Sequence, residues 1–459
     1  MNQFIEEMGR KTEVVAQCDL IVVGGGTGGA ISAIAAAREG LDVILVEQFG
    51  FLGGSQTGAL VTPLMLITAD NHSTIGGINE EIRQRMLATG DSGEQPGIAD
   101  GWFNPEMLKY VLEDLCLEAG VKLRYHSFFA DTIVENNVIK GVILQSKSGR
   151  QAILAKRVID ATGDADVSVS AGVPYESGRK EDGLNQAMSL RFNMGGIDFD
   201  KLCAFLNEHE TNGVRYEWPF VETAYTPNGK WLLGPLFEKA IAAGDVTAED
   251  VVYFQNFSMP GRPGEMSFNC PRITNRVKGY DVEDLSNAQI IGRQKIRRVA
   301  AFCKKYIPGF ENAFIALTAP MVGVRESRRI VGEYVFTAQD VVKPARFEDV
   351  IVKGNYPLDI HQPTKKDVSV EFGEHSRERF YELPYRTMVP LKIENLLVVG
   401  RCISATFEGQ SAMRVQGIIR TMGEAAGYAM AISIKDNVLP RNVDVKKVQT
   451  LLRNNNVSI

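Results

Sequence analysis

Glycines at positions 24, 26 and 29 constrain this chain more tightly than any other feature. Leu20 to Val23 is a short apolar run rich in β-branched residues, the length of one buried parallel strand. Gly24, Gly26 and Gly29 follow at G-x-G-x-x-G spacing, and Ile31 to Arg38 then reads as an alanine-rich helix that stops at Gly40. Leu41 to Val46 reads as a second buried strand, with Glu47 at its carboxyl end, 47 − 24 = 23 positions after the first glycine.

Each part of that order has a physical reason. Gly24 lets the chain turn sharply out of the strand. Gly26 lacks a Cβ, so a pyrophosphate can approach the backbone, and Gly29 lets the helix lie close to the sheet. The free N–H groups and the positive end of the helix then face the phosphates. Glu47 is placed to accept hydrogen bonds from ribose hydroxyls. The glycines alone would be a weak sign; strand, helix and acid in their required places make a dinucleotide-binding unit, of either a flavin or a nicotinamide nucleotide. Leu20 to Ala37 also runs for 18 residues without a charge, which touches the threshold for a membrane span. Five of the six residues from Gly24 to Gly29 are glycine, however, and they split that run in two.

A length of 459 residues predicts two domains, and 44% hydrophobic with 23% charged residues is the balance of a soluble globular protein. The formal net charge of −6 argues against a nucleic-acid or anionic-membrane partner. Residues 1–17 mix charges and lack the apolar centre of a signal peptide, so a cytoplasmic location is expected. The six cysteines are scattered, with no C-x-x-C pair. That predicts no metal or iron–sulfur site from local sequence, and buried thiols in a reducing compartment.

Along the chain, residues 49–58 form a second glycine-rich loop, expected to pack beside the first. Asn104 to Glu118 reads as a helix with an Asn cap and Pro105 at its first position. Val121 to Tyr125 reads as a strand, and Ala130 to Val158 as an antiparallel meander. The run Ile159-Asp160-Ala161-Thr162-Gly163-Asp164 returns the chain to the cofactor sheet, where small residues let backbone pass close to a ligand. From about Tyr175 to Glu382 aromatics and prolines replace the βαβ alternation, which predicts an inserted domain. Asn395 to Cys402 is a closing strand. Ala412 to Ile434 reads as one long helix whose glycines at 417, 423 and 427 would let a backbone or a flat ring approach, and whose start near Met413 to Val415 suits an electron-rich ring edge.

Together these motifs resemble the two-dinucleotide-fold flavoproteins. More closely, the chain is similar to bacterial FAD-dependent oxidoreductases related to the fumarate-reductase flavoprotein subunit and to heterodisulfide-reductase-A-like proteins. Leu52-Gly53-Gly54, Val324 to Ile330, Tyr356 to His361, Leu383 to Arg386 and Gly400 to Thr406 carry that likeness, in the family's order. It implies an α/β, FAD/NAD(P)-binding Rossmann-like fold: a parallel sheet with helices and a small antiparallel meander, plus an inserted α+β substrate domain. The divisions would be 1–174 and 383–459 for the FAD-binding parts and 175–382 for the insert.

The resemblance further implies non-covalent FAD in an extended pose. Gly24, Gly26, Thr27, Gly28 and Gly29 would hold the pyrophosphate, and Glu47 the adenosine ribose. Gly53, Gly54 and Ser55 would lie near the ribityl and phosphate end, Ala161 and Gly163 along the adenosine half, and Gly400, Arg401, Arg414 and Val415 along the flavin half. Some relatives attach FAD through a histidine after the Gly-Gly pair; Ser55-Gln56-Thr57 offers none. Many carry a histidine where this chain has Phe407. For chemistry, His361 is the expected base, and Arg325 and Arg386 the expected grips for a carboxylate or oxyanion. The expected activity is hydride or electron transfer with a small polar substrate. Alternatives are a subunit that passes electrons to a redox partner protein, and a flavin enzyme without net redox; a homo-oligomer is compatible with each.

Overall fold

The computed structural model describes residues 9–65, 68–69, 72–73, 76–93, 99–211, 213–224, 232–275, 277–364 and 380–459. The first eight residues of the amino-terminal segment, and 225–231 and 365–379 of the expected insert, lie outside these.

Four strands form a parallel ladder in the order Lys122–Arg124, Val43–Val46, Glu13–Val23, Gly149–Asp160. The last of these is long enough to serve two neighbours. Its first half pairs antiparallel with Val138–Ser146, which pairs in turn with Phe128–Glu135. Its final residues pair in parallel with Leu396–Val398. Leu20 to Val23 and Val43 to Val46 are buried, as continuous apolar runs in a sheet covered on both faces must be. The first strand begins earlier than its apolar run, because Glu13 to Gln17 lie at the partly exposed outer end beside the meander.

The helix Gly29–Arg38 starts directly behind the glycine turn. Asn104 caps the helix Pro105–Glu118, its side chain accepting from Glu106 N at 3.1 Å. The long carboxyl-terminal helix expected from Ala412 is two helices, Phe407–Met413 and Gln416–Lys435. They are parted by an extended Val415 (φ −75°, ψ 154°), a break that apolar periodicity does not register. Two glycines of the second helix meet backbone: a Cβ on Gly423 would lie 2.3 Å from Gly28 O, and one on Gly427 2.5 Å from Ser32 O. The helix therefore packs directly on Gly29–Arg38.

Buried apolar side chains form two clusters. The first surrounds the parallel sheet and includes Ile330, Phe336, Ile351, Val352 and Tyr381, all within the 175–382 span. The second runs from Met188 to Val322 with Leu60. It is built on a five-stranded antiparallel sheet in the order Glu222–Ala224, Gln255–Ser258, Met266–Phe268, Phe192–Gly195, Phe314–Thr318, with the helix Val282–Tyr306 alongside. Among the described residues no helix is long and apolar enough to cross a membrane, and no cluster of side chains could hold a metal ion.

Candidate active site

A cavity of about 2170 Å³ lies along the carboxyl ends of the strands that close at Val23, Asp160 and Val398, and it extends to the antiparallel sheet. This is where parallel α/β sheets take ligands. Gly24 (φ +100°) makes the first turn, and a Cβ on it would lie 2.4 Å from Ala161 O, so two strand ends can meet only at a glycine.

Gly24, Gly26, Thr27 and Gly28 line the cavity, as do Gly54 and Ser55 of the second glycine loop. That loop is tied to the first by Gly53 N donating to Gly25 O at 2.8 Å. Gly29 and Gly53 are not on the wall. They shape the turns instead, and a Cβ on Gly29 would lie 1.9 Å from Gly24 O. Glu47 lines the cavity, its carboxylate held by Gly25 N at 2.8 Å and Phe49 N at 2.9 Å. Burial raises its pKa, against those backbone bonds.

Ala161 and Gly163 lie on one side of the cavity and Gly400, Arg401, Arg414 and Val415 on another. Arg401 pairs with Asp164 (2.6 Å) and Arg414 with Asp359 (3.0 Å). The Nε of each is buried without a partner. The helix Gln416–Lys435 begins without a side-chain cap, with Val415 and Gln416 on the wall. Unsatisfied donors and an uncapped helix start fit a phosphate-bearing cofactor with polar ring edges.

Beyond this region the wall is rich in arginine. Arg325 is partly buried and, among the described residues, donates only to Ala187 O at 2.7 Å. Arg191 is buried, donating to Asn269 Oδ1 at 3.0 Å and to Leu60 O. Behind the wall, Arg272 reaches His361. Burial pushes Arg325 down to about 9, helped by the neighbouring Arg272 and Arg414, and Arg191 down to about 10, so both stay charged near neutrality. His361 lines the cavity, but its ring is engaged on both sides by Arg272 and Asp359. Arg386 does not join this group. It is a half-exposed residue that binds Asp349 at 2.9 Å away from the cavity, because Tyr385 to Met388 turn its side chain outward.

Residues 19–452 match the family model described as FAD dependent oxidoreductase. The chain belongs to that family. FAD is its cofactor, and the residues that would hold it are those whose unmet donors and glycine turns face the cavity. This FAD-dependent oxidoreductase is 26% identical over 212 residues to digeranylgeranylglycerophospholipid reductase 2 of Methanococcoides burtonii, covering 44% of this chain and 51% of the relative. It is 27% identical over 165 residues to thiamine thiazole synthase of Methanococcus vannielii, covering 33% and 58%. The matches thus span about half the length of these curated relatives. Among solved structures, a geranylgeranyl bacteriochlorophyll reductase-like protein from Thermoplasma acidophilum aligns with a TM-score of 0.44 at 14% identity, covering 96% of this chain and 84% of that one. The p-nitrophenol 4-monooxygenase of Pseudomonas putida aligns with a TM-score of 0.46 at 12% identity, covering 92% and 82%.

The oxidoreductase also carries site residues absent from the sequence expectations. Arg191 had a signal, a cation between Leu190 and Phe192 in an apolar strand. Glu222 had none, since Val221-Glu222-Thr223 reads as any edge strand. In the structure Glu222 lines the cavity, accepts one hydrogen bond among the described residues, from Gln255 Nε2 at 3.0 Å, and has its pKa raised by burial. The other cavity carboxylates are committed: Asp164 to Arg401, Asp166 to Arg328, Asp359 to Arg414, and Glu47 to two backbone N–H groups.

Proposed function

We propose that this FAD-dependent oxidoreductase transfers hydride or electrons between non-covalently bound FAD and a small organic anion such as a carboxylate. One observation carries the reading. Arg191, Arg325 and Arg414 line one end of the cavity, with Arg272 behind them on His361, yet among the described residues Asp359 is the carboxylate that pairs with them, and it pairs with Arg414. A buried cation without a counter-charge is costly, and a bound anion removes that cost.

Bound FAD supplies the two-electron exchange. Arg325 and Arg191 hold the anion through guanidinium N–H groups that have no protein partner among the described residues. His361 and Asp359 keep Arg272 and Arg414 in place; they are positioning residues. Glu222 is the carboxylate free to take a proton as hydride leaves the substrate, or to return one in the opposite direction. All six cysteines are free, which supports a reducing cytoplasm as the location. The closer kinship with fumarate-reductase and heterodisulfide-reductase-A flavoproteins, and a bacterial source, rest on the sequence motifs.

Anaerobic mixing of the oxidised holoenzyme with metabolites sorted into anionic and neutral sets tests the reading. Bleaching of the flavin by members of the anionic set, lost in Arg325→Gln, is expected. Bleaching by neutral compounds alone would refute it.

A further inference from the structure

We propose that the substrate is a monocarboxylate with an apolar body, an aryl or medium-chain aliphatic acid, a refinement that rests on the anionic reading above. The cavity itself leaves space for it. Single-ligand pockets measure about 300–1,000 Å³, and at about 2170 Å³ this one has room for a second ligand beside FAD.

The wall of that second space is half polar and half aromatic. In the strand Gln255–Ser258, Gln255 and Phe257 stand two residues apart, so they share a face, and both line the cavity. Phe257 lies directly opposite Glu222 in the antiparallel register. Phe220 adds a second ring, and Trp102 backs both, its centroid 5.7 Å from Phe220 and 5.4 Å from Phe257. Gln255 belongs to the polar side: Arg191 Nε donates to Asn269 Oδ1 at 3.0 Å, and Asn269 Nδ2 donates to Gln255 Oε1 at 2.8 Å. One strand therefore joins the arginine end to the aromatic surface. The step from Gln255 to Phe257 is about 7 Å, the reach of a phenyl ring or a short alkyl chain attached to a carboxylate.

A short dicarboxylate would meet the arginines but leave Phe220 and Phe257 uncovered, with its second charge against their rings. An apolar amide would cover the rings and leave Arg325 without a counter-charge. The two halves of the wall together select a molecule with both features.

The test is titration of the oxidised holoenzyme with octanoate, phenylacetate, succinate and octanamide, followed by the flavin absorbance change and by the shift in melting temperature. Octanoate and phenylacetate are expected to bind at least about tenfold more tightly than succinate or octanamide. Phe220→Asn, at a half-buried position, is expected to weaken octanoate about tenfold and leave succinate unchanged. Succinate binding as well as octanoate would overturn this inference and leave the anionic reading standing. Octanamide binding as well as octanoate would overturn the anionic reading itself. Failure of all four probes to bind by either readout would overturn both.

Discussion

An Nη2 of Arg272 lies 2.6 Å from Nδ1 of His361, and the Nε2 of the same ring lies 3.2 Å from Oδ2 of Asp359. A guanidinium only donates, so Nδ1 accepts and Nε2 carries the proton toward Asp359. The imidazole thus has no lone pair left for a substrate.

Burial, reinforced by the Arg325 charge, holds the pKa of His361 far below its ordinary 6.5. The unfolded chain therefore binds a proton that the folded one refuses, and this ring's contribution to stability is lost as pH falls below about 6.5. His361→Asn is expected to flatten the decline in melting temperature on the acid side, and the ring carbon resonances of the wild type should not titrate between about pH 6 and 8. An inflection near 6.5 would show the ring to be free.

Glu222→Gln removes the carboxylate free for proton exchange while keeping the bond from Gln255. Turnover is expected to fall about 100-fold or more, with flavin content and octanoate affinity unchanged. Because burial raises this carboxyl's pKa, the oxidative rate of the wild type should drop as pH falls through that raised value. The variant should lose that limb. A retained limb would assign proton transfer to another group.

Glu424 anchors the amino end of the helix Gly77–Ala88, accepting from Ile78 N at 3.0 Å and from Tyr428 at 2.9 Å. Burial pushes its pKa up from 4.5 to about 7. A raised carboxyl pKa favours the protonated folded state, so this contribution is complete below about 4.5 and is lost as pH rises through about 7, a change of about 3 kcal/mol. Glu424→Gln should therefore melt above the wild type at pH 8 and lose that advantage by pH 5, as scanning calorimetry across about this range would show.

Gly423→Ala places a methyl group 2.3 Å from Gly28 O. The helix must move away from the glycine turn, at a cost of about 1–3 kcal/mol. The purified variant is expected to retain less FAD per chain than the wild type, measured by absorbance after denaturation.

The FAD half was legible because its requirements are local. Gly24, Glu47 and the runs Leu20 to Val23 and Val43 to Val46 each declare themselves within a few residues, and Gly423 announced a close packing partner. Of the arginine end, only Arg325 and His361 were legible. Arg191, Glu222 and Arg272 are far apart in the chain and come to this region through the pairing of short antiparallel strands, whose register no local pattern specifies. Arg325 and Arg386 looked alike in sequence, yet one faces the cavity and the other Asp349. Their separation is a matter of tertiary packing. The break at Val415 has no local sign because Ala412, Met413, Arg414 and Gln416 around it are good helix formers.

Grip on an organic anion by Arg325 is measured most directly by titrating phenylacetate into wild-type, Arg325→Gln and Arg325→Lys holoenzymes and following the flavin spectrum. The structure leads us to expect saturable binding to the wild type, weakened by about 2–5 kcal/mol in the Gln variant and partly recovered in Lys, with FAD content equal in all three. Equal affinity in the wild type and Arg325→Gln would contradict it.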